Sequence, residues 1–188
     1  MIVGGVNPVH YGHIALIETG LKHVDKIDFM IGNKSIYVLP YNVREEALKS
    51  VIYNMGLEDR VSIPPLSNGT KTRLGEYETE KYSSLILGSD VLNHFHPDES
   101  IHRPQDKEFF LRFRKLIVLE REGVPVTEKV KEYVNSRWEL EINPPLSAIS
   151  AKAIQQSYIE GKDVCSMMPD YVWKQILPHA ELFNLSKH

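Results

Sequence analysis

Between Ile2 and Val24 the hydrophobic period of this chain changes once, and it changes across glycines. Ile2-Val3 is a short apolar run ending at Gly4-Gly5, the pattern of a buried strand entering a tight turn. From Tyr11 onward, Ile14, Ile17, Leu21 and Val24 recur at helical spacing and mark one buried stripe. Strand, glycine turn and helix together suit phosphate. Glycines let the backbone approach an anion, and the unpaired N–H groups of a helix start point at it. His10 and His13 bracket that start. Three residues apart on a first turn, two imidazoles can face one ligand, donate to phosphate oxygens and stabilise charge that develops during transfer. Either histidine alone reads as an ordinary turn residue; the joint pattern points to function.

The same alternation runs on through the chain. Ile27, Phe29 and Ile31 alternate like a second strand, and Val43, Ala47, Val51 and Met55 form a helical stripe closed by Gly56, where a left-handed cap would sit. Val61 to Ile63 reads as a short strand before Pro64-Pro65. Ser84 to Leu87 runs into Gly88-Ser89-Asp90, and Leu116 to Leu119 is a further apolar run. Trp138, Leu140 and Ile142 alternate with Glu139 and Glu141, a strand with one wet face. Residues 149–160 and 171–177 read as helices, with Pro169 near the first turn of the second. This order predicts an α/β fold, a parallel sheet with helices on its faces. There is no internal repeat or linker, so 1–188 reads as a single domain. The segment from Asn93 to Gln105 is polar with prolines and reads as a surface loop. Ligands of open parallel sheets bind beyond the carboxyl ends of strands, where Gly4-Gly5, Gly88-Ser89-Asp90 and the segment after Ile142 all fall.

Composition narrows the partners. A chain of 188 residues with 42% hydrophobic and 25% charged residues can build a real core. A net charge of −3 argues against a long nucleic-acid footprint and leaves room for a small anionic ligand. The lone cysteine, Cys165, cannot form an internal disulfide or a cysteine zinc site and fits a reducing compartment. No apolar run reaches the ~18 residues of a membrane span, and Met1-Ile2-Val3 meets glycines without a signal core. The expectation is a cytoplasmic protein with no membrane partner. Two histidines make half a zinc site and nothing nearby completes it, so no protein-held metal is expected. The P-loop and GxGxxG patterns are absent.

The segment Gly4-x-Val6-Asn7-Pro8-x-His10-x-Gly12-His13 resembles the GxFNPxHxGH signature of the HxGH nucleotidyltransferase superfamily, with Val6 where an aromatic is usual. Further segments resemble, in order, the nicotinate or nicotinamide mononucleotide adenylyltransferases. They are Asn33-Lys34 followed by Arg44, Leu85 to Asp90, Leu116 to Gly123, Ile149 to Gln155 in place of ISxTxIR, and Gly161-Lys162 with Met168 to Val172. The resemblance spans nearly the whole chain. It implies a Rossmann-like parallel sheet with helices on both faces, of the nucleotidyltransferase type. It implies that the phosphate of a pyridine mononucleotide attacks the α-phosphate of ATP, that pyrophosphate leaves and that a dinucleotide forms, with Mg²⁺ on the phosphates and no covalent intermediate. His10 and His13 would hold the ATP phosphates. Gly4, Gly5, Val6, Asn7, Gly88 and Asp90 would shape the nucleotide site, with Asp90 accepting from ribose hydroxyls. Ser150 would cap the late helix and seat the β- and γ-phosphates, while Lys34, Arg44 and Arg121 would neutralise phosphate or meet the acceptor. Lys152, not expected from the family pattern, reads either as a replacement positive charge for the phosphate tail at that helix start or as a solvated helix lysine.

Plainer readings stand beside these. Asp90 also reads as a helix cap, Arg44 as a solvated surface residue beside Glu45 and Glu46, and Arg121 as a partner of Glu120 and Glu122. Phe109, Phe110 and Phe113 read as packing residues. The late motif departs from the family with Lys152 for a hydroxyl residue and Gln155 for an arginine. The loop after Asp90 lacks the family's tryptophan, leaving His94, Phe95 or His96 to stack on a ring. The alternatives are a relative using phosphopantetheine as acceptor or CTP as donor, and a degenerate nucleotide-binding sensor.

Overall fold

Leu85-Ile86-Leu87 shows how the apolar runs are used: Ile86 packs on one face of the sheet, and Leu85 and Leu87 on the other. Successive strand residues point to opposite faces, so a strand covered on both sides reads as unbroken apolar sequence. The computed structural model describes residues 1–34, 36–65, 81–93, 109–145 and 149–185. Its six strands are β1 (Ile2–Gly4), β2 (Ile27–Ile31), β3 (Val61–Ser62), β4 (Ser84–Gly88), β5 (Lys115–Leu119) and β6 (Glu139–Asn143). All pair in parallel, in the order β3-β2-β1-β4-β5-β6. The chain winds outward from β1 to β3, then restarts beside β1 at β4. The carboxyl ends of β1 and β4 therefore flank the point where the strand order reverses, the usual ligand position in such sheets.

One face of the sheet is covered by α1 (Tyr11–Gly20), α2 (Tyr41–Asn54), α5 (Ala151–Ile159) and α6 (Asp170–Ile176), whose Ile17, Leu48, Ile154 and Val172 pack with Ile2, Phe29 and Ile117. The other is covered by α3 (Ser89–Leu92), the turn around Phe109 and Phe110, and α4 (Glu128–Asn135), whose Leu92, Val130 and Val134 meet Leu85, Leu116 and Val118. Helix α1 lies so close to the sheet that a Cβ on Gly20 would stand 2.5 Å from Ile86 Cδ1. Two 3₁₀ turns, Cys165–Met167 and Leu177–Leu185, flank α6. Among the described residues no helix is long and apolar enough to cross a membrane.

The α/β architecture agrees with the strand–helix alternation, with local differences. Gly56 is left-handed (φ 65°), and Leu57 N–H donates back to Ile52 O at 3.0 Å, closing α2 as its position suggests. Trp138 precedes β6 instead of opening it; its indole N–H donates to Phe110 O at 3.0 Å inside the second core. Lys115 pairs with Glu139 at 2.7 Å on the strand's wet face. Helix α4 has no sequence counterpart above, because it offers only two buried valines, and α3, implied there only by a capping reading of Asp90, is one turn long.

Candidate active site

The turn after β1 has little freedom. A Cβ on Gly5 would stand 2.6 Å from the Tyr37 ring, so only glycine fits beneath it. Val6 has φ 41°, a left-handed conformation that a β-branched residue avoids, at a cost of roughly 1–3 kcal/mol. The Asn7–Pro8 bond is cis. Hydrogen bonds pin the turn from several sides: Arg44 Nη1 donates to Gly5 O and Gly32 O, each at 2.7 Å, and Leu39 N–H donates to Asn7 Oδ1 at 3.0 Å.

Arg44 is thus not the solvated surface residue of the plainer sequence reading. It is 1% exposed, and its Nε also donates, to Leu39 O at 3.0 Å. Its guanidinium stacks 4.8 Å from the Tyr37 ring centre. The position reads as surface because Glu45 and Glu46 follow it, but the helix turns those two outward and Arg44 inward. A guanidinium can be buried when its fork of N–H groups meets backbone carbonyls.

His10 is the N-cap of α1. Its Nδ1 accepts from Gly12 N–H at 3.0 Å, while His13 Nδ1 accepts from His10 N–H at 3.3 Å. Two imidazoles therefore do the work of the hydroxyl and carboxyl of an ordinary capping box. The arrangement fixes the tautomer: with Nδ1 accepting, a neutral ring carries its proton on Nε2. The rings lie 3.9 Å apart between centres. Burial drives the His10 pKa well below its ordinary value, with His13 and then the Arg121 charge adding to the effect. Burial, then Arg121, pulls His13 down to about 3. At neutral pH the pair is uncharged, with two Nε2–H donors.

A cavity of about 300 Å³ opens at the carboxyl ends of β1 and β4. Of the residues singled out from sequence, Gly4, Gly5, His13, Lys34, Gly88, Asp90 and Arg121 line it. Val6, Asn7, His10, Arg44, Ser150 and Lys152 do not. Asp90 lies in the first turn of α3, whose cap position belongs to Gly88, so it is not a cap. It meets Arg121 Nε at 3.0 Å in an ion pair without hydrogen-bond alignment. That pair needs Gly88, where a Cβ would stand 2.4 Å from Asp90 Oδ1. Arg121 does not pair with Glu120, whose carboxylate accepts from Val126 N–H at 2.9 Å.

The start of α5 lies against the start of α1: a Cβ on Gly12 would stand 2.9 Å from Ile149 O. Ser150 caps α5, its Oγ accepting from Ala153 N–H at 3.1 Å. Lys152 is exposed. Gln155 is 8% exposed and donates from Nε2 to Asn7 O at 2.5 Å. Sequence reasoning missed Tyr37, a wall residue whose only signal was an aromatic between Lys34 and Arg44. Phe109 and Phe110 are core residues that also line the cavity. His94, Phe95 and His96 lie outside the described residues.

No family model matches the chain. A probable nicotinate-nucleotide adenylyltransferase of Bacteroides thetaiotaomicron is 25% identical over 187 residues, covering 92% of this chain and 87% of that protein. One of the same name from Flavobacterium psychrophilum is 22% identical over 199 residues, covering 96% of each. Among solved structures, Plasmodium falciparum nicotinic acid mononucleotide adenylyltransferase superposes with a TM-score of 0.72 in its complex with APC, at 13% identity over 97% of this chain and 95% of that one. Its complex with NaAD gives 0.73, at 15% identity over 98% and 97%. These structures share the fold.

Proposed function

We propose that this chain, which resembles the nicotinate-nucleotide adenylyltransferases along nearly its whole length, transfers the adenylyl group of ATP to a pyridine mononucleotide, nicotinate or nicotinamide mononucleotide, in NAD biosynthesis. The observation that carries the reading is the pair of histidines whose Nδ1 atoms are held by backbone N–H groups at the start of α1, beside the β1–β4 crevice.

The acceptor's phosphate oxygen forms a bond to the α-phosphorus of ATP. The bond from that phosphorus to the bridging oxygen breaks, and pyrophosphate leaves with its electrons. The chain needs no nucleophile of its own; it positions reactants and stabilises charge. His10 and His13 supply neutral Nε2–H donors whose direction is set before ATP arrives, so little reorganisation accompanies the reaction. The positive ends of α1 and α5 lie side by side and suit a polyphosphate. Ser150 and Lys152 are assigned to its β- and γ-phosphates, and Lys34 and Arg121 to the remaining negative charge. Asp90 keeps acceptor capacity for a ribose hydroxyl despite its pairing with Arg121. Mg²⁺ would come with ATP as part of that substrate and would supply charge neutralisation on the phosphates. We assign the reaction to the cytoplasm, where an exposed thiol such as Cys165 stays reduced.

The test is a reaction of the purified protein with Mg²⁺ and ATP or CTP against nicotinate mononucleotide, nicotinamide mononucleotide and phosphopantetheine, read by mass spectrometry and pyrophosphate release. A pyridine dinucleotide made from ATP is expected. Product only from phosphopantetheine or CTP would reassign the substrate, and ATP binding without any product would make the chain a sensor.

A further inference from the structure

The turn carrying the histidines is stretched between two helices. Arg44 of α2 holds Gly5 O from one side, and Gln155 of α5 holds Asn7 O from the other. Between them sits Val6 in its left-handed conformation. Only a donor can face a carbonyl oxygen, so the Gln155 amide must present its NH₂ group to Asn7. We infer that Gln155 is a positioning residue for the ATP phosphates: its hydrogen bond to Asn7 O ties α5 to the histidine turn and fixes the separation of the two helix starts across which the triphosphate lies. The inference rests on the adenylyltransferase reading and deepens it.

Three observations carry it. Gln155 is buried, so its amide stands in place of water and the bond is exchanged little with solvent. It lies in the same helix that Ser150 caps, so a shift of the Asn7 contact moves the N–H groups of that helix start as a body. The neighbouring contact, Ile149 O against Gly12, leaves no slack between the helices on the histidine side. Where the motif that this segment resembles has an arginine, Gln155 directs a neutral donor at the backbone of the turn. The departure noted in the sequence is a change of task, with a charge given up for a tether. Lys152, exposed in the first turn of α5, is a cation at the same helix start.

The experiment compares wild type with Gln155→Met, Gln155→Glu and Gln155→Arg by steady-state kinetics on ATP and nicotinate mononucleotide, beside thermal melts and calorimetry with ATP. Methionine keeps the volume without a donor, and glutamate sets acceptor oxygens against a carbonyl. Arginine keeps a donor. Losing one buried hydrogen bond that orients the site is expected to raise KM for ATP about tenfold in the Met and Glu variants and lower kcat, with KM for the acceptor within about twofold. The Arg variant is expected to keep wild-type KM for ATP. Unchanged ATP kinetics in a folded Gln155→Met protein would overturn the inference. So would equal rises in both KM values, or a lowered melting temperature with unchanged kinetics, since a merely structural residue behaves that way. A wild type that makes no dinucleotide would sink the activity instead, and ATP affinity by calorimetry in the same variants would still decide the tether.

Discussion

At residue scale the histidine pair caps α1, and the chemical task proposed for it can be separated from that structural one. Asparagine places Oδ1 near the position of imidazole Nδ1, so His13→Asn keeps an acceptor for His10 N–H while losing the Nε2–H donor. Turnover is expected to fall about 10²-fold or more with the fold retained, checked by kinetics beside thermal melts. The same residue sets a pH dependence. The folded chain holds His13 down at about 3, while an unfolded histidine titrates near ~6.5. Between those values the unfolded chain binds protons that the folded chain does not, so stability rises with pH there. It is complete above pH ~6.5 and is lost as pH falls towards about 3. Melting temperatures from pH 7 to pH 4 should fall in wild type and fall less steeply in His13→Asn.

At the scale of elements, the helices act through their starts and their closeness to the sheet. Lys152 adds one positive charge to the first turn of α5, where N–H groups and the dipole already favour an anion. Lys152→Ala is expected to raise KM for ATP severalfold and leave that for the acceptor unchanged, with weaker ATP binding by calorimetry. Closeness is tested at Gly20, where α1 touches the sheet. A Cβ there would stand 2.5 Å from Ile86 and 2.9 Å from Ile27. Gly20→Ala should lower stability in denaturant melts by about 1–3 kcal/mol, the range for overpacking, while the folded fraction keeps its activity.

At the scale of the molecule, the two cores lie on opposite faces of the sheet, and each carries a tryptophan: Trp138 in one, Trp173 packed against the other. If 1–188 folds as one unit, Trp138→Phe and Trp173→Phe proteins should show fluorescence transitions with the same urea midpoint, matching far-UV circular dichroism. Midpoints that separate would divide the chain. ATP should move both midpoints together, because the cavity draws on residues from both cores, Phe29 and Phe110 among them. At a concentration 100 times its Kd the added stability would be about 2.7 kcal/mol.

Much of the molecule was legible in order alone. Apolar runs ending in glycine and followed by helical stripes are local patterns, and they determined the strands, the longer helices, the parallel sheet and the end of the sheet where the cavity opens. Gly4-Gly5, His10 and His13 stood out because the turn and the cap are made by neighbours in sequence. What only the tertiary structure decided depends on partners far along the chain. Arg44 is inward because carbonyls of Gly5, Gly32 and Leu39 converge on it. Asp90 meets Arg121 because β4 and β5 end side by side. Gln155 reaches Asn7 across 148 residues of sequence. Arg44 and Asp90 read from sequence as surface, cap or ligand contacts, and Gln155 only as a departure from the motif. Burial without water requires a partner for every donor, and the fold alone says whether that partner is a substrate or the backbone.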